Sequence, residues 1–187
     1  MSLEDCVNYF IKQDLTGEEI EKLTGKPVVL YSDLAKYKTI SQLLGKEKAV
    51  VILYQTSSRT SGHFICICED DEGNVKYCDS YALNPDNELQ FTPYDKPLPK
   101  YLVKLLGDNY TSNPFEYQSK KPNVSVCGRY ASLFFLWRNL SFLQIREILK
   151  HNKDVYLQDS DNVVCLLTLV GLSEIREFYS KISRGNR

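Results

Sequence analysis

The sequence predicts an α+β fold in which a small mixed sheet packs against one buried central helix. Helical patterns fill residues 1–48, three apolar runs typical of strands follow between residues 49 and 82, and helical patterns return after residue 124. The run VSVCGRYASLFFLWRNLS is apolar nearly all round, which is typical of a buried helix. With 187 residues, the chain is long enough for one domain with a real core.

Residues 1–48 are expected to form short helices ahead of a core that spans 49–187. The stretch TGEEIEKL begins with a capping box, in which Thr16 is followed three residues later by Glu19. YSDLAKYKTISQLLGK predicts two short helical turns that end at Gly45.

Three strands are predicted next, in the runs AVVILYQT, GHFICICED and NVKYCDSYA. A proline-rich loop then leads into a short helix, and FEYQ is a candidate for a fourth strand. After the buried helix, SFLQIREILKHN predicts an amphipathic helix and DSDNVVCLLTLVGLSEIREFYSKI predicts a capped helical segment.

The composition argues against proteins built mainly to bind nucleic acid or an acidic membrane. The net charge is −1, from 23 Lys and Arg against 24 Asp and Glu. No signal peptide or membrane span is expected. Six cysteines in a chain of this length do not make a disulfide scaffold, so we expect free thiols in a reducing compartment.

The predicted hairpin between the second and third strands places a histidine near an aspartate. If Asp71-Glu72-Gly73 forms a three-residue turn, Asp79 faces Ile65 and becomes a diagonal neighbour of His63 on the same face of the sheet. A two-residue turn would put Asp79 on the opposite face. On the hairpin alone, a histidine that only caps a strand end is an equally good interpretation.

Cys127 is the candidate third member of this group. It lies in the expected first turn of the buried helix, which Ser125 is expected to cap, and a thiol there is acidified by the helix dipole and by a nearby imidazolium. Cysteine, histidine and an orienting carboxylate together form an activated nucleophile. Gly128 would leave room for a substrate carbonyl to approach the backbone amides.

The remaining thiols and the second histidine are interpreted as structural. A zinc site formed by Cys66, Cys68 and Cys78 with a histidine lacks the paired spacings of structural zinc sites. His151 is expected on the surface of a helix. We therefore expect no metal and no other cofactor.

The ordered motifs GHF, YCDSYALNPD and YQSKKPNVSVCGRYASLF resemble those of adenain-like cysteine proteases, in the clan that also holds SUMO-specific proteases. The resemblance is strongest to maturation proteases of virophages, giant viruses and Maverick/Polinton elements, and it covers most of the chain. It implies a papain-like core in which the histidine precedes the cysteine, within a single domain over residues 1–187.

The resemblance also implies roles for the matching residues. His63 would be the general base, Asp79 its orienter and Cys127 the nucleophile, while Gln118 would donate to the oxyanion hole with the Cys127 backbone N–H. Asn123 is an alternative donor because it is closer to Cys127 in sequence. Phe64 stands where adenain and the SUMO proteases usually have tryptophan, and it is expected to form a wall of the substrate groove.

The function implied is a monomeric cysteine endopeptidase that cleaves viral capsid precursors during virion assembly, in the virion and the host cytoplasm. Its substrates are expected to carry glycine or other small residues next to the cut bond. A nucleic-acid activator is not expected, because the basic residues Lys181, Arg184 and Arg187 resemble a solvated tail. The alternatives are a ubiquitin- or SUMO-type isopeptidase, an acyltransferase of the same clan, and an inactive virion protein that kept the fold.

Overall fold

Five strands form one mixed sheet in the order β1-β2-β3-β4-β5. The computed structural model describes residues 3–56, 62–92, 98–121, 123–155 and 159–172. β2, β3 and β4 are antiparallel neighbours, and β1 and β5 add parallel edges to β2 and β4. The strands span Val29–Leu30, Ala49–Tyr54, His63–Glu69, Val75–Cys78 and Thr111–Ser112. The predicted α+β class is confirmed.

The described residues also contain seven α-helices and three short 3₁₀ segments. The helices α1 to α7 span Leu3–Phe10, Gly17–Thr24, Ile40–Leu44, Tyr101–Leu106, Cys127–Leu136, Phe142–Val155 and Ser160–Leu172. The 3₁₀ segments are Tyr31–Lys36, Gly45–Glu47 and Asn87–Phe91.

Both faces of the sheet are covered, which explains why β2 is apolar throughout and β3 is apolar between His63 and Glu69. One face packs against α1, α2, α5, α6 and α7 through a cluster that includes Val51, Leu53, Phe64 and Cys66. The other face packs against the first 3₁₀ segment, α3 and α4 through side chains that include Val50, Ile52, Ile65 and Ile67. The sheet packs against α5, as the sequence predicts, and β3 is the strand that α5 contacts most.

The helix caps predicted for residues 1–48 are confirmed, but the sequence does not predict the strand that this segment also contains. Thr16 and Glu19 form the capping box of α2, and α3 ends at Gly45. The segment before residue 49 is not only helical, because Val29 and Leu30 pair with β2 as β1. A two-residue strand is too short to show the alternation by which strands are recognised.

The prediction of a strand at 115–118 is wrong. The fifth strand lies earlier, at Thr111–Ser112, and Pro114 follows it without an N–H to extend the ladder. The backbone N–H groups of Tyr117 and Gln118 instead both donate to the carbonyl oxygen of Ser80, at 2.9 and 3.0 Å. This contact fixes Gln118 next to the end of β4.

The buried central helix is α5, in which nine of ten residues are buried. It begins at Cys127, so the thiol lies in the first turn as expected. Ser125 is not its cap. Val126 occupies the N-cap position without a side-chain cap bond, and Ser125 lies one residue too early. The backbone N–H of Ser125 instead donates to the carbonyl oxygen of Ile11 at 2.9 Å.

Residues 173–187, with the basic residues Lys181, Arg184 and Arg187, lie outside the described residues. None of the helices in the described residues has the length and apolar character that a membrane span requires.

Candidate active site

The β3–β4 hairpin has the register that the sequence predicts. Cys66 pairs with Cys78 and Glu69 with Val75, so the same register places Ile65 opposite Asp79. The backbone N–H of Asp70 donates to the carbonyl oxygen of Asn74 at 3.1 Å, and Gly73 adopts φ +88° in the three-residue turn. The turn therefore has the odd length that puts His63 and Asp79 on one face.

His63 and Asp79 are in direct contact at the end of the sheet. Nε2 of His63 lies 3.1 Å from Oδ1 of Asp79, and both side chains are buried. Burial alone lowers the pKa of His63, but hydrogen bonding to Asp79 and to the Cys127 thiol outweighs it and leaves the pKa well above 6.5. The ring is therefore held in its protonated form to higher pH than a free histidine.

Asp79 is held through its backbone and its side chain. Oδ1 of Asn113 accepts from the Asp79 N–H at 2.8 Å, while Nδ2 of Asn113 donates to the Asp79 carbonyl at 2.7 Å. Oδ1 of Asp79 also accepts from the backbone N–H of Tyr81 at 2.7 Å. Tyr81 then stacks on the His63 ring, with centroids 5.1 Å apart. Asn113 and Tyr81 thus fix the carboxylate and the ring that it orients.

Cys127 faces the histidine from the start of α5. Its Sγ lies 4.0 Å from the carbonyl oxygen of Gly62, the residue before His63. The first N–H groups of a helix have no partner within the helix, so the positive end of α5 lies at this thiol. The arrangement places a thiol, an imidazole and a carboxylate in the order that activates a nucleophile.

Gln118 lines the same cavity as Cys127 and is held in a defined orientation. Its Oε1 accepts a 2.8 Å hydrogen bond from the Ser80 hydroxyl, and its Nε2 lies 3.4 Å from the Val124 carbonyl oxygen. The flanking segment is tied to α7, because Asp161 accepts from the backbone N–H of Ser119 at 3.1 Å. Asn123, the alternative candidate, is exposed with φ +64° and is not among the residues that line the cavity over Cys127.

A cavity of about 570 Å³ joins these side chains. His63, Gln118 and Cys127 line it, while Asp79 is fully buried behind His63. The remaining lining residues come from separate parts of the chain: Asp14, Thr56, Gly62, Tyr81, Leu83, Glu88, Phe91, Lys120, Val124 and Ser125. The cavity brings the imidazole, the thiol and the glutamine amide to one opening.

The surroundings of Gly128 and Phe64 bear on the two predicted substrate contacts. A Cβ atom on Gly128 would lie 3.2 Å from Ile20 Cδ1 and 3.3 Å from Phe64 Cδ2, so this glycine permits close packing of α5 and opens no space over the thiol. The expectation of open space at Gly128 is therefore wrong. Phe64 is buried, but it lines a second cavity that shares Asp14 and Gly62 with the first. The role of Phe64 as a wall of the substrate groove stays a prediction.

Three other residues matter to this site and carry no clear sequence signal. Asn113 and Glu88 are buried polar residues in loops and short segments, and Asp14 joins the cavity from the turn before α2. Asn113 contacts Asp79 across 34 positions of sequence. Burial of a polar side chain identifies Asn113 and Glu88, and it is visible only in the fold, whereas Asp14 is exposed.

Among the described residues, His63, Asp79 and Glu88 form the grouping whose ligand atoms lie within 4.8 Å of one another, as a metal site would require. Two of them already hydrogen-bond each other. The alternative zinc ligands Cys66, Cys68 and Cys78 are buried in the core with free thiols, and His151 is exposed on α6.

The chain is similar to "Uncharacterized protein V9" of Sputnik virophage. The two are 28% identical over 174 residues, which covers 87% of this chain and 98% of that protein. No protein-family model matches the chain. The long alignment relates this chain to a virophage protein.

Proposed function

We propose that the chain is a cysteine endopeptidase that cuts viral structural precursor proteins during virion assembly and maturation. One observation carries the proposal: the Cys127 thiol, at the start of a buried helix, shares a cavity with Gln118 and with a histidine bound to a buried aspartate. The relation to a virophage protein supports a viral setting. The motif resemblance supports a papain-like core within a single domain.

In the proposed reaction, the Cys127 thiolate attacks the carbonyl carbon of the cut bond and forms a tetrahedral oxyanion. The Gln118 Nε2 and the Cys127 backbone N–H donate to this oxygen. His63 gives its proton to the leaving amine, which departs and leaves a thioester on Cys127. His63 then takes a proton from water, the resulting hydroxide attacks the thioester, and the acid product leaves as the thiolate re-forms.

The test is co-expression with candidate capsid precursors from the same virus, followed by mass spectrometry of new termini. We expect a discrete cut that disappears in Cys127→Ala, with an unchanged circular dichroism spectrum for the variant. His63→Ala is expected to abolish the cut as well. Processing that persists in Cys127→Ala would refute the proposal.

A further inference from the structure

A second buried carboxylate lies in the cavity and has no part in the chemistry proposed above. Glu88, in the 3₁₀ segment Asn87–Phe91, is 4% exposed and lines the cavity. Its nearest basic group among the described residues is His63, with Oε1 4.0 Å from Nε2, which exceeds hydrogen-bond distance. Burying a carboxylate without a bonded partner is costly, so a cation bound in the cavity would stabilise it.

The cavity also carries a surplus of negative charge. Asp79 and Glu88 both approach one imidazole, so even its protonated form balances only one of them. Burial and the nearby Asp79 raise the pKa of Glu88 above its ordinary value, although His63 opposes them. The negative charge of Glu88 is therefore incompletely balanced in the cavity. Asp14 adds a carboxylate at the rim. Lys120 lines the cavity too, but its Nζ already binds Glu116 at 2.7 Å.

The walls beside Glu88 are apolar and aromatic. Tyr81, Leu83 and Phe91 line the same cavity, and Phe91 is 57% exposed although it is a large apolar side chain. A lysine or arginine side chain combines an apolar stem with a cationic end. Its stem fits such walls, and its charge is attracted both by the carboxylate and by aromatic faces.

The position of Glu88 identifies which part of a substrate it would meet. In the proposed reaction, His63 protonates the leaving amine, so the segment that follows the cut bond passes beside His63. Glu88 lies 4.0 Å from this ring. We propose that, within the peptidase function proposed above, Glu88 forms a subsite for a lysine or arginine close behind the cut bond.

The experiment compares matched peptides that carry lysine or norleucine at each of the three positions after the cut bond. Norleucine keeps the stem and removes the charge. We expect kcat/KM to favour lysine about 10- to 100-fold at one position, the range of a hydrogen bond to a charged group. Glu88→Gln should bring the lysine-to-norleucine ratio of kcat/KM close to one. Glu88→Asp, which keeps the charge, should retain part of the preference for lysine. Glu147→Gln, which removes an exposed carboxylate of α6, should leave the ratio unchanged.

Equal rates for lysine and norleucine in the wild-type protein would overturn the subsite, and so would a preference that survives Glu88→Gln. If Glu88→Gln lowers both rates equally, Glu88 acts through His63 and the subsite is also refuted.

Peptide binding to the Cys127→Ala protein separates this inference from the peptidase function. Fluorescence anisotropy should show tighter binding of the lysine peptide, and the difference should vanish when Glu88→Gln is added. If the wild-type protein cuts no precursor but this difference in binding is observed, the peptidase function is refuted and the subsite is supported. Equal binding of the two peptides would refute the subsite whatever the activity.

Discussion

The hydroxyl of Ser80 donates a 2.8 Å hydrogen bond to Oε1 of Gln118. The carbonyl oxygen of Val124, 3.4 Å from the other end of the amide, can only accept, so the NH₂ group lies on that side. Ser80 directly follows Asp79. The strand end that carries the orienting carboxylate of the proposed triad therefore also fixes the candidate oxyanion donor.

Gln118→Ala should reduce kcat by about 10²- to 10³-fold, because one donor to the oxyanion is lost. Asn123→Ala is the matched control, and it should leave kcat nearly unchanged since Asn123 is exposed. Steady-state kinetics on one peptide measure both. A large loss in Asn123→Ala with normal activity in Gln118→Ala would reverse the assignment.

Asp79→Asn should lower the pKa of His63. The hydrogen bond to Asp79 opposes the effect of burial, so its weakening lets burial dominate. The chain has only two histidines, so NMR titration of the ring signals, with His151→Gln to assign them, measures the shift directly. An unchanged pKa of His63 would show that Asp79 does not hold the proton on the ring.

The same substitution should change how stability depends on pH. The folded pKa of His63 is raised above its unfolded value near 6.5, so its contribution is fully present below pH 6.5 and is lost as pH rises through the folded pKa. The wild-type free energy of unfolding should therefore fall over this window more than that of Asp79→Asn. Urea denaturation across pH measures the difference, and parallel profiles for the two proteins would contradict it.

Iodoacetamide should modify Cys127 before the other five thiols in the native protein. Cys127 lines the cavity at 8% exposure, whereas Cys6, Cys66, Cys68, Cys78 and Cys165 are at most 2% exposed. His63→Ala should slow this labelling, because the imidazole that would take the proton of the thiol is gone. Peptide mapping by mass spectrometry identifies the modified residue. Equal labelling of all six thiols would indicate unfolding or an unreactive Cys127.

Gly62→Ala should destabilise the fold by about 1–3 kcal/mol, the usual cost of overpacking, or prevent folding altogether. A Cβ there would lie 1.9 Å from the carbonyl oxygen of Tyr54 and 2.6 Å from the N of Thr56, and backbone atoms cannot rotate away. Gly17→Ala is the control, because its nearest contact would be Val28 at 3.9 Å. Denaturant unfolding compares the two, and equal stabilities would contradict the close approach.

The hairpin geometry could be predicted because it depends only on local rules. Strand alternation and a glycine turn fix the register, and the register brings His63 to Asp79. The position of Cys127 at a helix start follows from the apolar run that comes after it in the sequence. The N-cap residue of α5 could not be predicted, because Ser125 and Val126 are adjacent and the sequence does not decide between them. Tertiary contacts, such as the hydrogen bond from Ser125 to Ile11, set where the helix begins.

The residues whose roles the sequence does not reveal depend on contacts between segments that are distant in sequence. The sequence predicts open space at Gly128, but Phe64 and Ile20 pack so close to α5 that even a Cβ atom would be crowded there. Asn113 and Glu88 lie in stretches without a repeating apolar pattern, so periodicity carries no information about them. Only the fold shows that one binds Asp79 and the other faces His63.

Ser80 holds Gln118 by its hydroxyl and holds the backbone of Tyr117 and Gln118 by its carbonyl oxygen. In the proposed reaction, the carboxylate that orients the base and the residue that holds the oxyanion donor are therefore neighbours in sequence, Asp79 and Ser80, so a change in one would disturb the other. Leu83 and Phe91 line the cavity from outside this arrangement. We expect the descendants of such a protein to change their substrates through positions of that kind, while the segment around Ser80 stays constant.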